Sequence, residues 1–329
     1  MMNELPDQIF SISNTGSFSE TALKIFRYQA DNNPVYNEFI SRLGKAKNSI
    51  KSVAEIPFLP VEFFRDQTVL TENLSSEIIF ESSRTTGTSP GRHFVHDLKV
   101  YETSFLNTFR LFYGDPAEYL IAALLPSYSE RMNSSLIYMA DNLISKSRDN
   151  ESGFYNNKGG ELVRTLQNQK HSGKKILLLG VSFALLDLAE AYSPDLSGII
   201  VMETGGMKGR RKEVTREELH ETLKEKFNVQ VIHSEYGMTE LLSQAYSKGN
   251  GIFNCPPWMR IMLRDPHDPL SIINEPGKTG GINVVDLANL YSCSFIATND
   301  LGKLHNDGSF EVLGRFDNSD IRGCNLMAD

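Results

Sequence analysis

Cysteine is scarce in this chain. Three residues, Cys255, Cys293 and Cys324, are spread over 329 positions with no CxxC pair among them. Neither a disulfide framework nor a paired-thiolate zinc motif is therefore written into it, and so sparse and odd a set fits a reducing compartment. Positive charge is not in excess either. Lys and Arg number 33 against 41 Asp and Glu, a net charge of -8, which leaves no electrostatic footprint for nucleic acid. That balance says nothing against ATP, whose phosphates are held by local donors and a metal rather than by net charge. No stretch approaches the roughly 18 apolar residues of a membrane span. The opening MMNELPDQIF has neither a basic start nor an apolar core, so no signal peptide is expected and the reading is a cytoplasmic protein. A Walker A loop, GxxxxGK(S/T), is missing, as is a GxSxG nucleophile elbow.

What is present has the texture of an α/β protein. In the first 45 or so residues, Leu23, Phe26, Phe39 and Leu43 recur at helical spacings, with Pro34 interrupting the run. PFLPVEFF (57–64) is too proline-rich for a regular element and reads as an ordered connector. From about residue 76, apolar strand-like runs alternate with amphipathic helices. EIIF (77–80), YLIAALL (119–125), KILLLG (175–180), SGIIVME (197–203) and VQVIHSEYG (229–237) are the strands. Helices are expected near 101–112, 134–144 and after KILLLG. Thr215 and Glu218 form a capping box ahead of Leu219, Leu223 and Phe227 on one helical face. This alternation predicts a largely parallel, covered sheet. Beyond residue 259 the pattern is mostly strands and turns: MRIML, GINVVDL, CSFIAT and SFEVLG. The expected organisation is a helical region over 1–75, an α/β nucleotide-binding core over 76–258, a β-rich subdomain over 259–313 and a short tail over 314–329.

Two loops have the residue types that phosphate chemistry needs. SSRTTGTSPGR (82–92) follows a strand and offers backbone N–H groups and small hydroxyls toward one point, which suits a polyphosphate; such Ser/Thr/Gly/Pro clusters are also common surface turns. SEYGMTE (234–240) also follows a strand. There Tyr236 offers a ring face for adenine, Gly237 lets the backbone come close, Thr239 can donate to an α-phosphate, and Glu240 can hold Mg²⁺ through a hard oxygen. A solvated turn into a helix is the plainer alternative. His93 and His96 lie in a strand-like context and so point to opposite faces, which argues against a metal pair. The basic cluster of Lys208, Arg210, Arg211 and Lys212 is either a solvated face or an aid to phosphate binding.

Together these stretches resemble the acyl-adenylate-forming (AMP-binding) superfamily. The first is similar to its phosphate loop, (S/T)SGTTGxPK, through Ser82, Ser83, Thr85, Thr86, Gly87 and Pro90. Arg84 replaces the usual glycine there, and Arg92 lies near the usual lysine. The second is similar to the YGxTE motif. ETGGMKGR (203–210) stands where the family has a glycine-rich loop beside adenine, which makes Gly205 and Gly206 candidate contacts. TNDLG (298–302) resembles the TGD motif, whose aspartate accepts from the ribose hydroxyls, the role implied for Asp300. GRFDNSDIRG (314–323) resembles GRxDxxI(K/R)xxG, placing Arg315 on the ribose or phosphate and Asp317 at the family's hinge. The resemblance also puts the neighbourhood of His233 and Ser234 by the acyl pocket, with a buried structural histidine as the alternative for His233.

Typical members run on into a further domain that brings a late lysine, whereas this chain ends six residues after Gly323. The expectation is therefore the large N-terminal domain of that fold without the C-terminal lid domain. The end DIRGCNLM, together with IFRYQADNNPVYNEF and LLPSYSERMNSSLIYM, is similar to the acyl-protein synthetase (LuxE-type) family. That resemblance implies ATP and Mg²⁺ as cofactors and activation of a fatty acid as acyl-AMP. It then implies transfer to Cys324 and delivery to a reductase or carrier partner. Cys255 and Cys293 read as packing residues. Two alternatives stand beside it: an acyl-CoA or acyl-carrier ligase of the phenylacetate–CoA type, and a non-catalytic nucleotide-binding subunit.

Overall fold

The structure is a computed structural model that describes residues 5–82, 89–126, 131–170, 172–205, 214–273 and 275–316. Three helices open the chain: α1 (Leu5–Phe10), α2 (Thr15–Asn32) and α3 (Pro34–Arg42). The break between α2 and α3 comes from Asn33, whose side chain caps α3 by accepting from Tyr36 N–H, with Pro34 as the first helical residue. PFLPVEFF does make regular structure, in short pieces: β1 (Leu59–Pro60) and α4 (Phe63–Asp66). Proline is accepted in β1 because that strand is a two-residue edge, and its ladder runs on through Val61 N–H to Ala297 O.

The following elements are β2 (Ile78–Glu81), β3 (Arg92–Val95), α5 (Leu98–Tyr113), β4 (Tyr119–Leu124), α6 (Ser135–Ser147), β5 (Gly153–Phe154), α7 (Gly159–Gln169), β6 (Lys175–Val181), α8 (Ser182–Tyr192), β7 (Ile200–Thr204), α9 (Arg216–Phe227) and β8 (His233–Tyr236). The chain then turns to strands alone: β9 (Ala245–Ser247), β10 (Ile252–Asn254), β11 (Met259–Arg264), β12 (Ile272–Ile273), β13 (Thr279–Asp286), β14 (Phe295–Leu304) and β15 (Phe310–Arg315).

Strands β5, β4, β6, β7 and β8 pair in parallel in that order. Alternation along each strand sends side chains to two faces. Leu120, Ala122, Ile176, Leu178 and Val201 pack with α7, α8 and α9; Ile121, Ala123, Leu177, Leu179 and Met202 pack with α5, α6 and the N-terminal helices. Both faces are covered, which is why the strands read as unbroken apolar runs. Each fully buried leucine in these layers contributes about 2 kcal/mol. The capping box of α9 is present, with Thr215 Oγ1 accepting from Glu218 N–H and Glu218 accepting from Thr215 N–H.

The strands after residue 259 are continuous with this sheet. β8 pairs antiparallel with β9, β9 with β10, and β10 with β15, so one thirteen-stranded sheet runs from β12 to β5. The first predicted strand takes a different place. β2 pairs antiparallel with β3 in a separate two-stranded sheet, and the loop rich in Ser, Thr and Gly is its hairpin connection. No helix among the described residues is long and apolar enough to cross a membrane.

Candidate functional site

The parallel strands β6, β7 and β8 end side by side, and chain leaving the carboxyl ends of such strands is where α/β sheets place their ligands. The segment after β8, Gly237 to Glu240, lies at this edge. The β2–β3 hairpin meets it from above. Ser82 closes the hairpin's base, its Oγ accepting from Gly91 N–H at 2.8 Å. Gly91 then lies directly against the Glu240 carboxylate: a Cβ there would stand 2.5 Å from Oε1. Only glycine lets the end of the loop approach so closely. Arg92 is exposed, its guanidinium over the ring of Phe94.

Glu240 is 7% exposed. Burial pushes its carboxyl up to about 7, the nearby Asp300 and Glu62 adding to the rise and Arg315 opposing it. Asp300, on β14, accepts from the Tyr236 hydroxyl at 2.8 Å and faces Arg315 Nε at 3.5 Å. Arg315 is its cross-strand partner on β15 and is 78% exposed, free to turn toward a ligand. The Tyr236 ring packs edge-on to Phe253 and Phe310. Four residues singled out in the sequence, from three separate stretches, are thus in one electrostatic neighbourhood.

The loop that carries Thr239 and Glu240 is gripped from behind by groups that sequence reasoning did not single out for this role. His93 on β3 is fully buried, and burial holds it down at about 4, so the ring is neutral at pH 7. Its Nδ1 contacts Thr239 O at 2.9 Å; because a carbonyl only accepts, Nδ1 has the proton. Asn289 donates to Glu240 O at 2.6 Å. Asp286 accepts from Leu242 N–H at 2.7 Å, from Ser243 N–H at 3.0 Å and from the Ser243 hydroxyl. The turn holding Asp286 and Asn289 is itself tied to the N-terminal helices. Gln29 Nε2 donates to Asn289 O and Leu290 O, and Asn33 Nδ2 to Ser292 O. Buried hydrogen bonds of this kind help hold a loop in one conformation.

The adjoining strands divide the remaining candidates between two faces. His233 is half-buried, its Nδ1 3.1 Å from the Tyr113 hydroxyl, and burial holds its pKa at about 4. Ser234 points to the opposite face, fully buried, its Oγ 3.4 Å from His220 Nε2. There it joins Glu203, which Arg216 and His220 approach at 3.5 and 3.6 Å. Ser182, at the start of α8, donates to Glu203 and to Gly205 O. Gly205 has a φ of 64°, so the chain leaves β7 in a left-handed turn. Gly237 is exposed and Thr239 half-buried. Ser83, Thr85, Thr86, Gly87, Gly206, the basic cluster, Asp317 and Cys324 lie outside the described residues.

Glu240 fits a hard cation: it is an anionic oxygen donor, buried, with carboxylates rather than cations as most of its neighbours. Among the described residues no group of three or more His, Cys, Asp or Glu could hold a metal. An ion here would take most of its ligands from water and bound phosphates, as Mg²⁺ commonly does.

No protein-family model matches the chain, and no curated protein matches it. Solved structures do. A 2-hydroxyisobutyryl-CoA ligase in the postadenylation state, in complex with R3-HIB-AMP, aligns with a TM-score of 0.66 at 14% identity, over 93% of this chain and 69% of that one. An ATP-bound RpMatB-BxBclM chimera aligns at 0.55 and 19% identity, over 72% of this chain and 47% of that one. ATP-bound MatB from Rhodopseudomonas palustris aligns at 0.53 and 16%, with the same coverage. The chain spans about half the length of the MatB structures. Its large mixed sheet is that of the N-terminal domain of acyl-adenylate-forming enzymes.

Proposed function

We propose that the protein joins ATP and a carboxylic acid as acyl-AMP, releases pyrophosphate, and passes the acyl group to a thiol, its own Cys324, for delivery to a reductase or carrier partner. The observation that supports this reading most is the convergence of Tyr236, Glu240, Asp300 and Arg315 at the end of the parallel strands, with Gly91 of the phosphate-loop hairpin against Glu240. A fatty acid is the substrate class that the acyl-protein synthetase resemblance favours.

In this reading Asp300 accepts from the ribose hydroxyls, and the Tyr236 hydroxyl orients its carboxylate. Arg315 approaches the ribose or phosphate. Thr239 donates to the α-phosphate from a loop whose carbonyls His93 and Asn289 already hold, so little reorganisation is left for the transition state. The hairpin residues Ser82, Ser83, Thr85, Thr86 and Gly87 cradle the phosphates, with Arg92 beside them, and Gly205 and Gly206 flank adenine. His233, half-buried beside the Tyr113 hydroxyl, is the candidate contact on the acid side; Ser234, fully buried on the opposite face against His220, is not placed to reach it. Mg²⁺ held by Glu240 would offset charge on the phosphate oxygens when bound. The carboxylate oxygen attacks the α-phosphorus, and the bond to pyrophosphate breaks. In the second step the Cys324 thiolate, its proton gone to solvent, attacks the acyl carbon; a C–S bond forms, the C–O bond to phosphate breaks, and AMP leaves.

A second reading, an acid–CoA ligase, is favoured by the neighbour that is itself a CoA ligase. Intact-protein mass measurement after incubation with ATP, Mg²⁺ and a panel of fatty and aromatic acids separates the two. A hydroxylamine-labile acyl mass on the wild type, missing from Cys324→Ala, is the expected result. AMP release that needs coenzyme A and ignores Cys324→Ala would establish the ligase instead. Acid-independent silence in ATP–pyrophosphate exchange would refute adenylation.

A further inference from the structure

Arg264, the last residue of β11, is 8% exposed although it is a full guanidinium. It lies beneath β14 at the place where that strand leaves its regular register. Against β13, Gly281 pairs with Leu301 and Asn283 with Ala297. One residue of β13, Ile282, therefore faces three of β14: Thr298, Asn299 and Asp300. This is a β-bulge, a device that re-aims side chains beside functional sites at the expense of the ladder's hydrogen bonds. On one side of it β14 pairs with β1, through Ile296 and Ala297; on the other it pairs with β15, starting at Asp300 and Arg315. The bulge is thus where β14 exchanges one neighbour for another, and Asp300 is its last residue.

The carbonyls freed by such a bulge must find donors. Arg264 supplies them. Nη1 donates to Ile282 O at 2.8 Å and to Asn283 Oδ1 at 2.9 Å, and Nη2 donates to Thr298 O. Thr298 Oγ1 adds a bond to Ile282 O and receives Asp300 N–H at 3.1 Å. The guanidinium has room because its cross-strand partner is Gly281; a Cβ on that glycine would stand 2.7 Å from Cζ. Burial lowers the Arg264 pKa, and the neighbouring Glu62 and Asp300 oppose that shift.

We propose that Arg264 is a positioning residue for nucleotide recognition, filling the β13–β14 bulge so that Asp300 is aimed at the ribose of ATP. This rests on the reading of Asp300 as the ribose ligand. Lysine cannot replace the fork, since it offers one compact cation where three carbonyl-type acceptors are spread around a plane.

The test is calorimetric binding of MgATP and of Mg·2′,3′-dideoxy-ATP, which lacks the hydroxyls, to the wild type, Asp300→Asn, Arg264→Lys and Gly281→Ala. The wild type is expected to prefer ATP by about 10-fold or more, the scale of hydrogen bonds to a charged acceptor. Asp300→Asn should lose that preference. Arg264→Lys should lose it too, with ATP affinity falling by about 5- to 10-fold and dideoxy-ATP affinity unchanged within twofold. Gly281→Ala approaches the same result by crowding the guanidinium without removing it, and it decides the matter alone should Arg264→Lys fail to fold. A purely structural arginine would weaken both nucleotides alike. The proposal is overturned if the folded variants keep the wild-type preference or lose affinity for both nucleotides equally. A wild type with no preference, matched by Asp300→Asn, removes the ribose reading of Asp300 and the proposal with it.

Discussion

Replacing Glu240 with glutamine should stabilise the protein at alkaline pH while abolishing adenylation. The carboxyl is buried beside Asp300 and Glu62, and its pKa rises from the usual 4.5 to about 7. Folding therefore binds a proton to this group. A raised folded-state value contributes stability that is fully present below about 4.5 and is lost as pH climbs through about 7. A rise from 4.5 to about 7 corresponds to about 3 kcal/mol. Glutamine has nearly the same shape and no charge to desolvate. Urea unfolding of wild type and Glu240→Gln from pH 5 to pH 8.5 should give a difference that starts near zero and grows to about 1–3 kcal/mol in favour of the variant. Taking the difference cancels the titrations that both proteins share. Acid-dependent ATP–pyrophosphate exchange should fall by about 100-fold or more, since a group that places phosphate charge is lost. A pH-independent offset, or a variant less stable at pH 8.5, would refute the reasoning.

The remaining predictions concern the groups around that carboxylate. Gly91→Ala places a Cβ 2.5 Å from Glu240 Oε1 and should lower exchange activity by about 10-fold or more, with unfolding free energy changed by less than about 2 kcal/mol. Tyr236→Phe removes only the bond to Asp300; MgATP affinity should drop by roughly 5- to 10-fold, the worth of a hydrogen bond to a charged group, with the melting temperature nearly unchanged. His93 is held neutral with a pKa near 4, below its unfolded value of about 6.5. Its neutrality stabilises the fold above about 6.5, and that contribution is lost as pH falls toward 4. His93→Gln should therefore be less stable than wild type at pH 7, and the gap should narrow by about 2–3 kcal/mol by pH 4 in urea unfolding.

Local patterns in the sequence were good guides to local structure. The apolar runs KILLLG and YLIAALL, the Thr215–Glu218 box and the break at Pro34 are each settled by a few neighbouring residues, and each stands in the structure. The fold class was legible for the same reason, since strand–helix alternation leaves few topologies. What escaped depends on partners far along the chain. His93 finds Thr239 146 positions later, and Asn289 finds Glu240 49 positions earlier. Both meet backbone carbonyls, which every residue has and no motif marks. The β2–β3 pairing was hidden by its long connection, and α7 by the two glycines that begin it. Arg264 gave no signal, because nothing in MRIMLR says that its strand borders a bulge.

The bonds from Gln29 to the turn at Asn289 and Leu290 also set a timetable for biosynthesis. The two ends of that contact are 260 residues apart. At roughly 5–20 residues per second, α2 leaves the ribosome about 15–50 seconds before its partner exists. During that interval α2 has α3 against it, with Tyr36 edge-on to Phe26, but its late partners, Phe295 among them, have yet to be made. The grip on Thr239 and Glu240 can close only after β13 and the turn beyond it have emerged, so nascent chains shorter than about 290 residues have the strands of the site but not its conformation. The side of α2 that awaits Phe295 and the turn at Asn289 is thus a surface that a cellular holdase could shield.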